Sequence, residues 1–298
     1  MPGPGFRIAA LDPVRDGAEL RALRAAAGTV ADPADAAAAQ DALGEHLVAR
    51  SDDGQAVGAA RLGADRRIAA LTVLPDWRGR GVGSALLRDL IAQAQRRHWP
   101  QLELHAPAAA VAFCARHGFL PPPGGAAADA AAVPLRRRFD GAAAVEDAAM
   151  AIAASIAVLA QARRQVLIHS RALDPGLLDD ARVLEQLRRF AVAAHAKQVW
   201  VLLHDAAAPQ RAGAPLLALA QRLPSVFQFR EVSDPVDRSD ATAYLVNEGG
   251  GYYFRGLGHR YDGETDLLGG GRARQLRTSF ARVWERARPC SELRALGW

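Results

Sequence analysis

The feature that most constrains this chain is a short glycine- and arginine-rich turn between an apolar strand and an amphipathic helix. The run RIAALTVL, residues 67–74, is strand-like, and the turn RGRGVGS, residues 78–84, follows after PDW. Beyond the turn, apolar residues recur with helical spacing to about residue 97, with Val82, Leu86 and Leu90 on one stripe. A strand, a turn and a helix of this kind predict an α/β fold in which the helix packs on the sheet.

The backbone amides of the turn predict an anion site. The first N–H groups of a helix have no partner within it, and the positive end of the helix dipole favours negative charge there. Glycines at positions 79, 81 and 83 remove the Cβ atoms that would hold a phosphate away from the backbone. Because Arg78 and Arg80 add positive charge, the turn is typical of a site for a phosphorylated ligand.

Two common phosphate-binding motifs do not fit this turn. A P-loop requires a lysine, and the only lysine of the chain is Lys197, far from the turn. A dinucleotide fingerprint requires a glycine where this chain has Ser84 or Leu86. Glu103, about twenty residues further on, is the one feature that keeps a dinucleotide site open.

The stretch VLPDWRGRGVGSALL closely resembles the pyrophosphate-binding motif of the Gcn5-related N-acetyltransferases (GNAT family), Arg/Gln-x-x-Gly-x-Gly/Ala. Arg78, Gly81 and Gly83 occupy the motif positions. The later AVAFCARHGF, residues 110–119, is similar to the second signature of that family, a short helix that ends in Gly-Phe. The resemblance covers somewhat under half of the chain. It implies a GNAT-like mixed, mostly antiparallel sheet with flanking helices over residues 1–140.

The resemblance also implies a co-substrate and its binding residues. Acetyl-CoA would lie with its pantetheine arm on the backbone of the strand before the turn and with its pyrophosphate on the amides of the turn, and the acetyl group would pass directly to an amine. The implied cofactor-binding residues are Leu71, Thr72, Val73, Arg78, Gly79, Arg80, Gly81, Val82, Gly83 and Ser84. Ala110 and Phe113, on the later short helix, face either the coenzyme or the core and are further cofactor-binding candidates.

The acid-base residues depart from the family pattern. The tyrosine that protonates the leaving thiolate in the family would fall at Cys114, for which a packed core cysteine is the alternative interpretation. The strand before the turn has no glutamate to serve as a base. Glu103 and His105 alternate with leucines, so they share one face of their strand and are candidates, beside a water chain or a merely exposed histidine. The predicted catalytic candidates are therefore Glu103, His105 and Cys114.

The length of 298 residues predicts two domains. The small and charged run DGAAAVED, residues 140–147, marks the boundary, which gives domains over residues 1–140 and 145–298. The longest apolar run, residues 148–160, is shorter than the roughly 20 residues that span a bilayer, and no secretory signal is evident, so we expect a soluble cytoplasmic protein. Cys114 and Cys290 form no C-x-x-C pair, and no metal site is predicted.

The net charge of +5 raises nucleic acid as a partner, but the basic residues are almost all arginines spread along the chain in clusters of three at most. Nucleic-acid binding is therefore not expected.

The second half alternates strands and helices, which predicts a mostly parallel α/β sheet. Its order of elements resembles one half of the phospholipase D-like fold. The chemistry of that family requires His-x-Lys, whereas Arg171 follows His169 and Tyr261 follows His259 at the lysine position. We expect no catalysis of that type. His204 and Asp205 end a strand, where open α/β sheets bind ligands, and residues 259–266 are interpreted as a polar surface loop.

Two functional hypotheses follow. The first is an acetyl-CoA-dependent N-acyltransferase that acts on a small-molecule or protein amine, and the second is an acetyl-CoA or CoA sensor with little turnover. The added domain is expected to bind substrate, a partner or another copy of the chain, as in a homodimer.

Overall fold

The computed structural model describes residues 5–28, 44–123, 132–290 and 293. The chain folds into two compact units. The first comprises Met1–Ala106 and Pro134–Asp140, and the second comprises Pro107–Val133 and Gly141–Trp298. In the part of the chain that the structure describes, every helix is too short or too polar to cross a membrane.

The first unit is built on a six-stranded sheet with the strand order β1-β2-β3-β4-β5-β6. Strands β1 to β4 pair antiparallel, and β4 and β5 pair parallel, which confirms the predicted mixed sheet with flanking helices. The elements are β1 (Phe6–Leu11), α1 (Gly17–Ala26), β2 (Glu45–Ser51), β3 (Ala56–Leu62), β4 (Arg67–Val73), α2 (Val82–Arg96), β5 (Gln101–Ala106) and β6 (Val133–Arg138). The sequence ADPADAAAAQDALG, residues 31–44, has the pattern of a capped helix that ends at Gly44, but this stretch lies almost wholly outside the described ranges.

Helix α2 packs on the sheet through the stripe that its sequence predicts. Its buried residues are Val82, Leu86, Leu87, Leu90, Ile91 and Ala94. Gly58 on β3 allows the start of this helix to approach closely, because a Cβ there would lie 2.8 Å from Val82 Cγ1 and 3.0 Å from the Thr72 carbonyl oxygen. The sheet therefore fixes where α2 begins, and with it the position of the turn before the helix.

The second unit has an eight-stranded sheet with the order β14-β10-β9-β8-β11-β12-β13-β7. Only β8, β9 and β10 run parallel to one another, and the other pairs are antiparallel, so the prediction of a mostly parallel sheet is wrong. Two strands whose sequences are too short or too polar to be recognised, β7 and β13, extend the antiparallel side.

The strands of this unit are β7 (Ala143–Val145), β8 (Gln165–Ser170), β9 (Gln198–Leu203), β10 (Phe227–Glu231), β11 (Ala243–Asn247), β12 (Tyr252–Arg255), β13 (Gly263–Asp266) and β14 (Arg288–Pro289). Its helices are α3 (Val111–Ala115), α4 (Ala148–Gln161), α5 (Ala181–Val192), α6 (Ala207–Arg211), α7 (Pro215–Arg222), α8 (Pro235–Arg238) and α9 (Gly270–Arg286).

Helix α4 lies at the centre of the second unit. Ten consecutive residues, 150–159, are buried, as expected for a helix that is apolar on every side. Asp147 caps its first turn by accepting a hydrogen bond of 2.8 Å from the Met150 amide. The apolar run of residues 148–160 is thus a core helix, and α3 packs against it in the same unit.

The stretch predicted as a domain boundary includes part of the second sheet. Strand β7 pairs with β13 at Thr265↔Ala143 and Gly263↔Val145, and Val145 is buried. The polar stretch 259–266, interpreted from sequence as a surface loop, therefore contains a strand. Both segments are short, and their strand character comes from pairing with each other rather than from local apolar pattern.

Candidate functional site

Strands β4 and β5 separate shortly after they begin to pair. The ladder between them contains only Arg67↔Glu103 and Ile68↔Leu104. Along its other edge β4 stays paired with β3 as far as Gly58↔Val73, with a register shift opposite Ala70, a non-glycine residue with a φ of 52°. Such a bulge bends a strand and increases its twist. The strand that precedes the turn thus follows β3 and leaves β5.

The turn after β4 presents backbone rather than side chains. Gly79 and Gly81 have φ values of 77° and 89°, and a Cβ on either would meet nothing within 4 Å. Gly81 is the N-cap of α2, and the Ala85 amide donates to its carbonyl at 2.9 Å. The amides of Val82 and Gly83 find no backbone acceptor in the described ranges. These two donors lie at the positive end of a helix of 15 residues, which is the arrangement that binds anions.

The two arginines of the turn have different surroundings. The Arg78 side chain donates to the Val73 carbonyl at 3.3 Å and to the Ala27 carbonyl at 3.1 Å, so it ties the turn to the ends of β4 and α1. The Arg80 guanidinium lies 5.1 Å from the centre of the Trp77 ring and is exposed to solvent. Arg78 therefore shapes the turn, and Arg80 carries an accessible positive charge beside the open amides.

Glu103 is held by its neighbours. Its carboxylate forms ion pairs with Arg136 at 3.1 Å and with Arg67 at 3.6 Å, and it accepts a hydrogen bond of 3.1 Å from Gln101 Nε2. Both oxygens of the Glu103 carboxylate are therefore engaged by neighbouring side chains.

His105 lies on the same face of β5 as Glu103, as the alternation of the strand predicts. It is exposed, and no described residue forms a hydrogen bond with its ring. The last pair of the β4–β5 ladder is at Leu104, so His105 stands on the stretch of β5 that has left β4. Its imidazole is accessible to substrate from solvent.

Three of the predicted site residues, Ala110, Phe113 and Cys114, belong to the second compact unit. Cys114 is 2% exposed, and burial raises the pKa of its thiol to about 11, so the thiol stays protonated at neutral pH. The Phe113 ring packs 5.2 Å from the His117 ring and 5.5 Å from the Arg116 guanidinium.

A second polar site lies at the carboxyl ends of the parallel strands β8, β9 and β10. His204 and Asp205, which the sequence places beyond β9, line a cavity there. Three further lining residues, Arg171, Glu231 and Arg238, were not predicted. Arg171 follows β8, Glu231 ends β10 and Arg238 ends α8, so they lie on separate elements and no local motif marks them.

Family models assign both halves of the chain. The model described as "Domain of unknown function (DUF7931)" matches residues 146–296, slightly more than half of the chain. The chain belongs to the DUF7931 family. A second model, described as "Acetyltransferase (GNAT) domain", matches residues 17–122, so the N-terminal part of this DUF7931 protein is a GNAT acetyltransferase domain. The comparisons do not support the phospholipase D-like resemblance of the DUF7931 region.

Solved structures also resemble part of this DUF7931 protein. The ribosomal-protein-S18-alanine N-acetyltransferase of Escherichia coli is 19% identical, with 46% of this chain and 95% of that chain covered and a TM-score of 0.39. Escherichia coli ElaA is 21% identical, with 45% and 98% covered and a TM-score of 0.37. A GNAT family acetyltransferase of Elizabethkingia anophelis, determined with acetyl-CoA bound, is 15% identical, with 45% and 99% covered and a TM-score of 0.35. No curated protein matches the chain.

Proposed function

We propose that the GNAT domain of this protein transfers an acetyl group from acetyl-CoA directly to an amine. The observation that carries the proposal is the combination of a β4–β5 ladder that ends at Ile68 and Leu104 with a glycine turn that leaves open amides at the start of α2. The first feature provides a gap between strands for an extended arm, and the second provides an anion site at the end of that gap.

The residues of the turn fit a diphosphate group. A cluster of backbone donors without Cβ atoms in the way accepts a bulky anion. Glycines at positions 79 and 81 permit the positive φ values that the turn requires. The amides of the turn would hold the diphosphate, with Arg80 adding charge, and Arg78 would keep the turn in shape. The backbone of Leu71, Thr72 and Val73 would hold the pantetheine arm. When bound, acetyl-CoA supplies an acyl thioester that an amine can attack.

The chain contributes mainly by positioning. Holding reacting groups at attack distance can supply about 7–11 kcal/mol of the barrier, whereas general acid-base groups typically add about 10²- to 10⁴-fold in rate. Among the candidates we assign the base to His105, because it is exposed on the stretch of β5 that has left β4 and histidine is the side chain that most often acts as a general base. We assign Glu103 a positioning role through its ion pairs with Arg67 and Arg136.

A second candidate function is a sensor that binds acetyl-CoA with little turnover. The observation that favours it is the burial of Cys114 where the family resemblance would place a tyrosine acid. A thiol with a raised pKa and almost no exposure is a poor proton donor to a departing thiolate.

The experiment that separates the two functions measures thiol release from acetyl-CoA with a panel of amines. The panel contains small primary amines, free amino acids and peptides with free N-termini, and acetyl-CoA binding is measured in parallel by calorimetry. Release that depends on one class of amine supports the acyltransferase. Binding without release above the rate of hydrolysis on every class supports the sensor, and failure to bind contradicts both.

For the DUF7931 region, the phospholipase D-like half-domain architecture stays a proposal, supported by the order of its strands and helices. Its chemistry is not proposed, since Arg171 and Tyr261 stand where that chemistry needs lysine. We also propose that residues 1–140 and 145–298 act as the two functional domains.

A further inference from the structure

The second unit contains a polar cavity outside the proposed acetyl-CoA site. The cavity measures about 190 Å³ and is lined by Arg171, His204, Asp205, Glu231 and Arg238. It lies where β8, β9 and β10 end side by side, and the carboxyl edge of parallel strands is the usual ligand position in open α/β sheets. The ligand that this cavity can hold depends on which charged side chains of the lining form no ion pair.

Both carboxylates of the lining are already paired with arginines that are not part of it. Asp205 Oδ2 lies 3.2 Å from Arg211, and its other oxygen accepts from two amides of α6 at 3.0 Å. Glu231 Oε2 lies 2.7 Å from Arg288, and Oε1 accepts from the Ala206 amide at 3.3 Å. These contacts lower the pKa of each carboxyl, so both stay ionised, and each is held by partners outside the lining.

The two arginines of the lining lack such partners. Arg238 donates one hydrogen bond, to the His204 carbonyl at 3.4 Å, and within the described ranges neither Arg171 nor Arg238 forms an ion pair. His204 is buried beside them, and burial lowers the pKa of its ring, so it contributes a neutral imidazole at pH 7. The lining therefore has two guanidinium groups that form no ion pair with a described carboxylate, although the charge of Arg238 also acts on the Glu231 carboxyl.

We propose that this cavity binds a small monocarboxylate, held by Arg171 and Arg238. The planar fork of a guanidinium matches the two oxygens of a carboxylate. A single negative charge suits the lining better than the double charge of a phosphate, because Asp205 and Glu231 border the same space and would repel the second charge. A volume of about six waters, at about 30 Å³ each, fits acids of two to four carbons.

The proposal is tested on the full chain by calorimetric titration with acetate, lactate, 3-hydroxybutyrate and inorganic phosphate. We expect at least one monocarboxylate to bind with a Kd of about 1 mM or lower, and phosphate to bind at least about 10-fold more weakly. Arg171→Gln and Arg238→Gln should each lower the affinity for that carboxylate by about 10-fold. Arg222→Gln, which removes an exposed arginine outside the lining, should leave its affinity unchanged.

Three results would overturn the proposal. They are no binding by any of the three carboxylates, unchanged affinity in both arginine variants, and tighter binding of phosphate than of every carboxylate. The thermal unfolding transition of each variant is recorded beside the titration, and a second pair of variants, Arg171→Lys and Arg238→Lys, replaces any glutamine variant that unfolds. Because acetyl-CoA is absent from these titrations, their outcome is independent of the proposed acetyl transfer.

Discussion

The polar site of the first unit is formed by backbone groups, whereas the polar contacts of the second unit are formed by side chains. In the first unit, the site consists of backbone amides within one continuous turn, residues 78–84, and two strands that separate next to it. In the second unit, side chains that are distant in sequence meet inside the fold. His169 Nε2 lies 2.9 Å from His204 Nε2, and Asp174 pairs with Arg255, 81 residues away. A backbone site leaves a local sequence motif, and a side-chain network does not.

The largest effect on stability is expected at the buried ion pair of the second unit. The Asp174 and Arg255 side chains are 7% and 4% exposed, and Asp174 also accepts a hydrogen bond of 2.7 Å from Ser170 Oγ. Arg255→Met should lower the free energy of unfolding by about 3–5 kcal/mol, because it leaves a buried carboxylate unpaired. Urea unfolding of the full chain measures it.

The matched control for Arg255→Met is Arg260→Met. Arg260 pairs with Asp262 at 2.6 Å, but both side chains are more than half exposed, so this variant should cost less than about 1 kcal/mol. Equal losses in the two variants would break the contrast between a buried network and a solvated surface.

The next effect concerns the backbone site of the first unit. Gly83→Glu should lower the affinity for acetyl-CoA by about 100-fold or more, because it places a carboxylate beside the open amides at the start of α2. Calorimetry measures the affinity. Gln95→Glu makes the same change of charge three turns further along the helix and should have little effect. A normal affinity in the Gly83 variant would disprove the anion site.

A smaller effect is expected at the exposed histidine of β5. His105→Gln should lower kcat by about 100-fold at neutral pH and leave the KM for acetyl-CoA unchanged, because the imidazole is assigned to the amine rather than to the co-substrate. Steady-state rates on the preferred amine measure it. Glu103→Gln should change kcat less than His105→Gln does, since its carboxylate is already engaged by Arg67 and Arg136. The opposite ranking would assign the base to Glu103.

The smallest expected effect is a loss of stability in acid that arises at the histidine pair of the second unit, His169 and His204. Burial and the nearby His204 ring lower the pKa of His169 below its ordinary value near 6.5, although Asp237 and Asp240 act in the opposite direction. The unfolded chain therefore takes up this proton first as the pH falls, and stability is lost below about pH 6.5, by at most about 1.4 kcal/mol per pH unit. Urea unfolding at pH 7.5 and 5.5 should show a smaller loss for His169→Gln than for the wild type.

The sequence predicted the first unit better than the second for physical reasons. The stripe of α2, the alternation of β5 and the glycine turn before α2 each depend on neighbours within a few residues, so pattern alone identifies them. Strands β7 and β13 owe their structure to pairing across more than 100 residues. Arg171, which follows β8, and Arg238, which ends α8, line one cavity only because the fold brings these separate elements to the same edge. Such contacts have no sequence period.

In the proposed function, the turn after β4 holds the diphosphate of acetyl-CoA. The most direct measurement is a calorimetric titration of the wild-type protein at low salt with acetyl-CoA and, separately, with S-acetylpantetheine, which lacks the diphosphate. We predict one site per chain for acetyl-CoA with a micromolar Kd, and binding of S-acetylpantetheine that is at least about 100-fold weaker. No binding of acetyl-CoA, or equal affinity for the two compounds, would contradict the account.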